Sequence, residues 1–153
     1  MGLVFQEVAM LVQQILRTKS DDGVITIAPG ESLAKAAELL SSRRIGAVVV
    51  STDGRIPLGI LSERDIVREL GRRGTGCLTD RVEAVMTRAL VGCTSADSAD
   101  AVMEKMTEGR FRHMPVMQGE EMVGLISIGD VVKARLSELA MEKDALTGMI
   151  MGS

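Results

Sequence analysis

The chain has no tryptophan, no tyrosine and only two phenylalanines, Phe5 and Phe111. The stacking platforms that single-strand nucleic-acid binders use are therefore nearly absent. Two cysteines, Cys77 and Cys93, and one histidine, His113, are too few for a closed four-ligand zinc site or a disulfide framework. Two thiols fit a reducing compartment, with the cytoplasm as the default. Positive charge is not in excess: 18 Lys+Arg stand against 21 Asp+Glu, a formal charge of −3, so no net field draws nucleic acid or an anionic membrane. A long hydrophobic run is missing too. The greasy stretch Met1–Leu16 is broken by Gln6, Glu7, Gln13 and Gln14 with no basic segment ahead of it, so neither a secretory signal nor a membrane span is expected. Gln6 also departs from the Ser or Thr of an N-myristoylation pattern.

What is present suits a soluble globular protein of one compact domain or two small fused units: 153 residues, 46% hydrophobic and 25% charged, with 16 Gly against 3 Pro. An internal repeat organises it. Val24–Val50 lies over Leu90–Val116 at a constant offset, and after a deletion in the turn Leu58–Val67 lies over Val123–Val132. Gly59 then matches Gly124, Ser62 matches Ser127, Asp65 matches Asp130, and a short apolar helix precedes each copy. Periodicity predicts a strand at Val24–Ala28 and a helix capped by Ser32 with the stripe Leu33, Ala36, Ala37, Leu40. Strands at Ala47–Val50 and Leu58–Leu61 flank an Asp-Gly turn, and a helix runs from Ser62 to about Arg72. The second copy predicts a strand at Leu90–Cys93 and a helix with the stripe Ala99, Val102, Met103, Met106. Strands at Met114–Met117 and Met122–Ile126 follow, then a helix from Ser127 onward. The order is β-α-β-β-α twice, an α+β class, with Gly71–Leu78 as a Gly-rich linker. Outside the repeats, Val4, Val8, Leu11, Val12 and Ile15 form one apolar stripe and Val132, Leu136, Leu139 and Leu146 another. Such stripes need cover, which makes the chain ends candidates for a dimer contact.

The doubled Gly-h-h-Ser-x-x-Asp, Gly59–Asp65 and Gly124–Asp130, joins a buried strand to a helix in each copy. There the helix N-terminus offers backbone N–H groups to an anion, and an Asp can accept hydrogen bonds from vicinal ribose hydroxyls. The same Ser-x-x-Asp is also a near capping box, which needs no ligand. A second constellation, Gly109–Val116, places Arg112 and His113 where the first copy has Gly46 and Ala47. One copy then supplies cations and the other room, although an arginine and a histidine at a strand entrance are equally at home in solvent. The methionines of the second copy fall on stripe and strand positions and read as adaptable core. Neither cysteine has an adjacent base, and no metal-ligand motif, Gly-x-Ser-x-Gly or Walker loop occurs, so no catalytic residue and no metal site is expected.

These residues together resemble a tandem pair of cystathionine-β-synthase (CBS) domains: the repeat, the Gly-h-h-Ser-x-x-Asp doublet, and the Arg-His-Met-Pro-Val entry at Arg112–Val116. The resemblance covers Val12 to Leu136 and is nearest to small stand-alone bacterial CBS pairs. It implies two repeats packed with pseudo-twofold symmetry, residues 12–73 and 81–136, with flanking helices at 1–11 and 137–153. Two clefts are implied between them that hold AMP, ATP or NAD(H), with no cofactor required. In one cleft Asp130 would take the ribose, Ser127, Arg112 and His113 would lie near phosphate, and Ile25, Ile45, Gly46 and Ala47 would face the adenine. In the mirror cleft Ser62 and Asp65 match the pattern, Arg64 could serve a phosphate, and Gly46 and Ala47 offer no cation. The Asp130 site is therefore expected to be the better one. The implied function is an adenine-nucleotide sensor, not an enzyme. It would be a homodimer that passes a conformational change to a regulated protein not legible from sequence; a ligand-independent dimerisation or scaffold module is the alternative. Asp130→Ala is expected to weaken nucleotide binding while leaving the apo melting temperature nearly intact.

Overall fold

The computed structural model describes residues 9–19 and 23–151, so Val4 and Val8 of the N-terminal stripe lie outside the described residues. The elements are α1 (Val12–Thr18), β1 (Thr26–Ile27), α2 (Leu33–Arg43), β2 (Ala47–Val50), β3 (Gly59–Ser62) and α3 (Glu63–Arg73). A 3-10 helix (Gly74–Thr79) follows, then α4 (Val82–Val85), α5 (Ala99–Gly109), β4 (His113–Gln118), β5 (Glu121–Ser127) and α6 (Ile128–Met151). This is the α+β class, and the first copy has the β-α-β-β-α order expected from periodicity.

The chain forms two compact units that do not follow the repeat boundaries. One combines α1 with Gly92–Val116 and the chain from Leu125 onward; the other runs from β1 to Val91 and includes Met117–Gly124. The reason lies in the short leading helices. Val12 and Ile15 of α1 are buried with Val102, Met106, Met114 and Ile126 of the second copy, whereas Val82 and Met86 are buried with Leu33, Leu40, Val48 and Leu61 of the first. Backbone bonds repeat the arrangement. Val12 N–H donates to the Asp97 carbonyl (2.8 Å), and Val82 N–H donates to the Glu31 carbonyl (2.8 Å). Each leading helix thus fills the apolar face of the other copy, since four to seven residues cannot hold a helix without tertiary cover.

In the unit containing β1, that strand pairs parallel to β2 (Thr26 with Val49, Ile27 with Val50) and β2 pairs antiparallel to β3 (Ala47 with Ser62). Every residue of β2 is buried, as befits the central strand. The Asp-Gly turn is held by the Asp53 carboxylate, whose Oδ1 accepts from the N–H groups of Arg55 (2.8 Å) and Ile56 (2.9 Å). Those bonds pull its pKa below the ordinary value. Gly71–Leu78 is not an open linker: α3 continues to Arg73 and the 3-10 turn drives Cys77 into the core at 1% exposure.

In the other unit α5 has the expected stripe, with Ala99, Val102 and Met106 buried and Met103 packed partly against them. The strand expected at Leu90–Cys93 shrinks to one parallel bridge, Cys93 with Val116. The cause is Pro115. Its counterpart in the first copy, Val49, donates its N–H to the Ile25 carbonyl (3.1 Å), and proline has no N–H to give. Far along α6, Glu138 is buried; its Oε1 accepts from Met10 N–H (2.9 Å) and its Oε2 pairs with Arg135. The opposite face of α6 stays exposed at Val132, Leu136, Leu139 and Leu146.

Candidate functional site

The strand-to-helix turns at Ser62–Asp65 and Ser127–Asp130 both close as capping boxes. At the first, Ser62 Oγ accepts from Asp65 N–H (3.2 Å) while Asp65 Oδ2 accepts from Ser62 N–H (2.9 Å). At the second, Ser127 Oγ accepts from Asp130 N–H (3.1 Å) and Asp130 Oδ2 accepts from Ser127 N–H (2.9 Å). The next amide is also used. Glu63 N–H donates to the Gly46 carbonyl (2.9 Å), and Ile128 N–H to the Arg112 carbonyl (2.8 Å). The helix ends therefore present fewer open N–H groups than the sequence leads one to expect, and anion binding at either turn falls mainly to side chains.

The two aspartates differ in what else holds them. Asp65 is nearly enclosed, and its second oxygen accepts from Arg68 (3.1 Å), one turn along its own helix. Asp130 is more open, its side chain 23% exposed. Its Oδ2 accepts from Lys19 Nζ (2.8 Å), and the same ammonium donates to the Leu125 carbonyl (2.7 Å). Partial burial pushes the Asp130 carboxyl up. Lys19 and the Ser127 N–H and hydroxyl outweigh that, and the net shift is downward, keeping it ionised at neutral pH. Oδ1 accepts no hydrogen bond among the described residues.

The expected site residues divide between the two units. Ile25, Ile45, Gly46, Ala47, Ser62, Arg64 and Asp65 belong to one; Arg112, His113, Ser127 and Asp130 belong to the other. Within the first, Ala47 is the ladder partner of Ser62, and the Ile25 carbonyl lies beside β2. Ile25, Ile45 and Gly46 are half-buried, Ala47 is buried in β2, and Arg64 is exposed. Within the second, the Arg112 carbonyl is bonded into the Ser127–Asp130 turn, and its exposed side chain forms no ion pair among the described residues. His113 is half-buried and opens β4. Lys19 was not among the expected residues. It stands in no motif, and only the docking of α1 brings it to a carboxylate far along the chain.

Elsewhere the chemistry is muted. Burial, with a smaller effect of Asp97, pushes the Cys93 thiol up to about 11, so it stays protonated and unreactive at neutral pH. Among the described residues no cluster of His, Cys, Asp and Glu is arranged to hold a metal ion, and no helix is long and apolar enough to cross a membrane.

Comparison with known proteins agrees with this architecture. The family model of the CBS domain matches the chain twice, at residues 12–72 and 82–137. The chain is 32% identical over 139 residues to the mitochondrial CBS domain-containing protein CBSX3 of Arabidopsis thaliana, covering 88% of this chain and 68% of that protein. Another Arabidopsis relative, 30% identical, is spanned over only 24% of its length. The crystal structure of the CBS-domain protein ATU1752 of Agrobacterium tumefaciens superposes with a TM-score of 0.78 at 42% identity, covering 84% of this chain and 94% of that one. The CBS domain pair of MJ0100, solved with 5′-methylthioadenosine and S-adenosyl-L-methionine, superposes with a TM-score of 0.71 at 24% identity over 82% and 94% of the two chains, a likeness of fold.

Proposed function

Since the chain belongs to the CBS-domain family and carries the domain twice, we propose that it is a non-catalytic regulatory module that binds an adenosine-containing ligand at the Ser127–Asp130 turn. AMP, ATP and NAD(H) are the ligands proposed. The observation that carries the reading is the Asp130 carboxylate: ionised, partly open, with a cation on one oxygen and no hydrogen bond to the other among the described residues. Such an oxygen can accept from ribose hydroxyls, and the exposed Arg112 side chain, with His113, can meet phosphate. Methylthioadenosine and S-adenosyl-L-methionine in the MJ0100 pair support the ligand class, because that fold accommodates adenosine compounds. The adenine is assigned to Ile25, Ile45, Gly46 and Ala47 on family resemblance. Ser62, Asp65 and Arg64 make the weaker site, since Arg68 already occupies Asp65.

Signalling requires that the ligand bind one conformation better than another, because equal affinity shifts nothing. We place the module in the cytoplasm, as a homodimer through the exposed face of α6, serving a regulated protein still to be identified. Light scattering tests the dimer, and a monomer at micromolar concentration removes it.

A second reading has its own support: both turns satisfy their own caps, so the fold is complete without ligand and could act as a scaffold. Thermal denaturation with AMP, ATP and NADH separates the two. A ligand of the native state present at 100 times its Kd adds about 2.7 kcal/mol, or roughly 5–11 °C for a chain of this size. No rise with any of the three at millimolar concentration favours the scaffold.

A further inference from the structure

We propose that Lys19, at the end of α1, sets the charge preference of the Ser127–Asp130 site, so that it selects phosphorylated adenosine ligands over uncharged nucleosides. This rests on the ligand reading above and adds a residue outside the Ser-x-x-Asp turn itself. An aspartate that holds a ribose also lies within a few ångströms of any phosphate on that ribose, and two negative charges at such a distance repel. A site built on Asp130 alone would therefore favour a neutral nucleoside. Lys19 reverses the balance. Its ammonium neutralises Asp130 at 2.8 Å, and its bond to the Leu125 carbonyl at 2.7 Å fixes it to β5 beside the turn. An ammonium has three N–H donors, and these two contacts leave one for a ligand. At 36% side-chain exposure, Lys19 is open enough to use it. With Arg112 near the same turn, the three charges sum to one positive unit, suited to an anion.

The first copy lacks this device. Laying the leading helices together, Val12 on Val82, puts Ala89 at the position of Lys19. Asp65 instead takes its cation from Arg68, within the same helix. Charge selection by a leading helix thus belongs to the Ser127–Asp130 turn.

The experiment is calorimetric titration of the full chain with AMP and with adenosine, for the unaltered protein and for Lys19→Gln and Lys19→Arg, with melting curves as a folding control. The expected result is a loss of about tenfold in AMP affinity for Lys19→Gln, adenosine unchanged within about twofold, and recovery of AMP binding in Lys19→Arg. The AMP affinity of the unaltered protein should also fall more steeply with salt than that of Lys19→Gln. Equal losses for AMP and adenosine would overturn the proposal, because Lys19 would then only position Asp130; so would no loss for either. If neither probe binds the unaltered protein at millimolar concentration, the ligand reading itself fails, and this inference fails with it.

Discussion

Replacing Asp130 by alanine removes a cap and a proposed ligand contact together, and the first copy provides the control that separates them. Without the carboxylate, Ser127 N–H loses its acceptor, a loss of about 0.5–1.5 kcal/mol. The pair with Lys19 is part-exposed, at 36% and 23%, and is worth about 0–1 kcal/mol. The sum, roughly 0.5–2.5 kcal/mol, lowers the melting temperature by about 1–10 °C in a chain of this size. The capping bonds thus predict a measurable fall in the apo melting temperature, where the sequence alone led to the expectation of a nearly unchanged one. Asp65→Ala breaks the same kind of box and a surface pair with the more exposed Arg68, so its melting temperature should fall by an amount of the same order. Affinity should tell the two apart. Hydrogen bonds from ribose hydroxyls to a charged acceptor are worth about 1.5–3 kcal/mol each, so Asp130→Ala should cost AMP about a hundredfold in calorimetry while Asp65→Ala stays within about threefold. Equal affinity per folded molecule in the two variants would refute the assignment of the ribose to Asp130. Acid titration gives an independent reading. The folded-state pKa of Asp130 lies below its ordinary value of 3.8, so its stabilisation is complete above that value and is lost as pH falls through the folded pKa. Asp130→Ala should therefore show a shallower stability loss below about pH 4 than the unaltered protein.

Four further substitutions probe the scaffold. Glu138→Ala leaves Met10 N–H and Arg135 without their buried acceptor, and should cost about 2–3 kcal/mol in urea denaturation; a change under about 0.5 kcal/mol would mean that the segment leading into α1 is held by its apolar contacts and backbone bonds without Glu138. Gly59→Ala sets a Cβ at 2.5 Å from Met86 Sδ and 2.8 Å from the Thr87 carbonyl oxygen; the side chain can move and the carbonyl resists, so a loss of about 1–3 kcal/mol is expected, and an unchanged urea midpoint would show that β3 shifts freely. Arg44 and Arg110 both end their helices in the left-handed region, at φ of 54° and 57°, where glycine is at ease. Arg44→Gly and Arg110→Gly should each raise stability by about 0.5–1 kcal/mol in thermal melts, and a fall in both would assign these arginines a contact that outweighs backbone strain.

Much of the fold was legible because much of it is local. Helices α2 and α5 follow from apolar spacing and a serine cap: Ser32 Oγ accepts from Lys35 N–H and Ser98 Oγ from Ala101 N–H, each within one turn. The strand β2 has the bounds its apolar run predicts, and both Ser-x-x-Asp turns close over three residues, inside the reach of a sequence pattern. Gly71–Leu78 misleads because its glycines suggest a loose connection, while the tie that matters, Cys77 in the core, depends on distant side chains. The strand at Leu90–Cys93 fails for a reason visible only once its neighbour is known, namely that Pro115 cannot donate.

The amino-acid sequence by itself determines the repeat, the order of elements and the pairing of each serine with its aspartate, because periodicity, capping and turn chemistry act over a few residues. Tertiary structure alone decides which copy each leading helix completes and that Asp130 meets Lys19, whereas Asp65 takes Arg68 three residues along its own helix. Those choices depend on apolar faces and charges separated by long stretches of chain: Val12 and Ile15 seek the core that can bury them, and in doing so α1 carries Lys19 to Asp130.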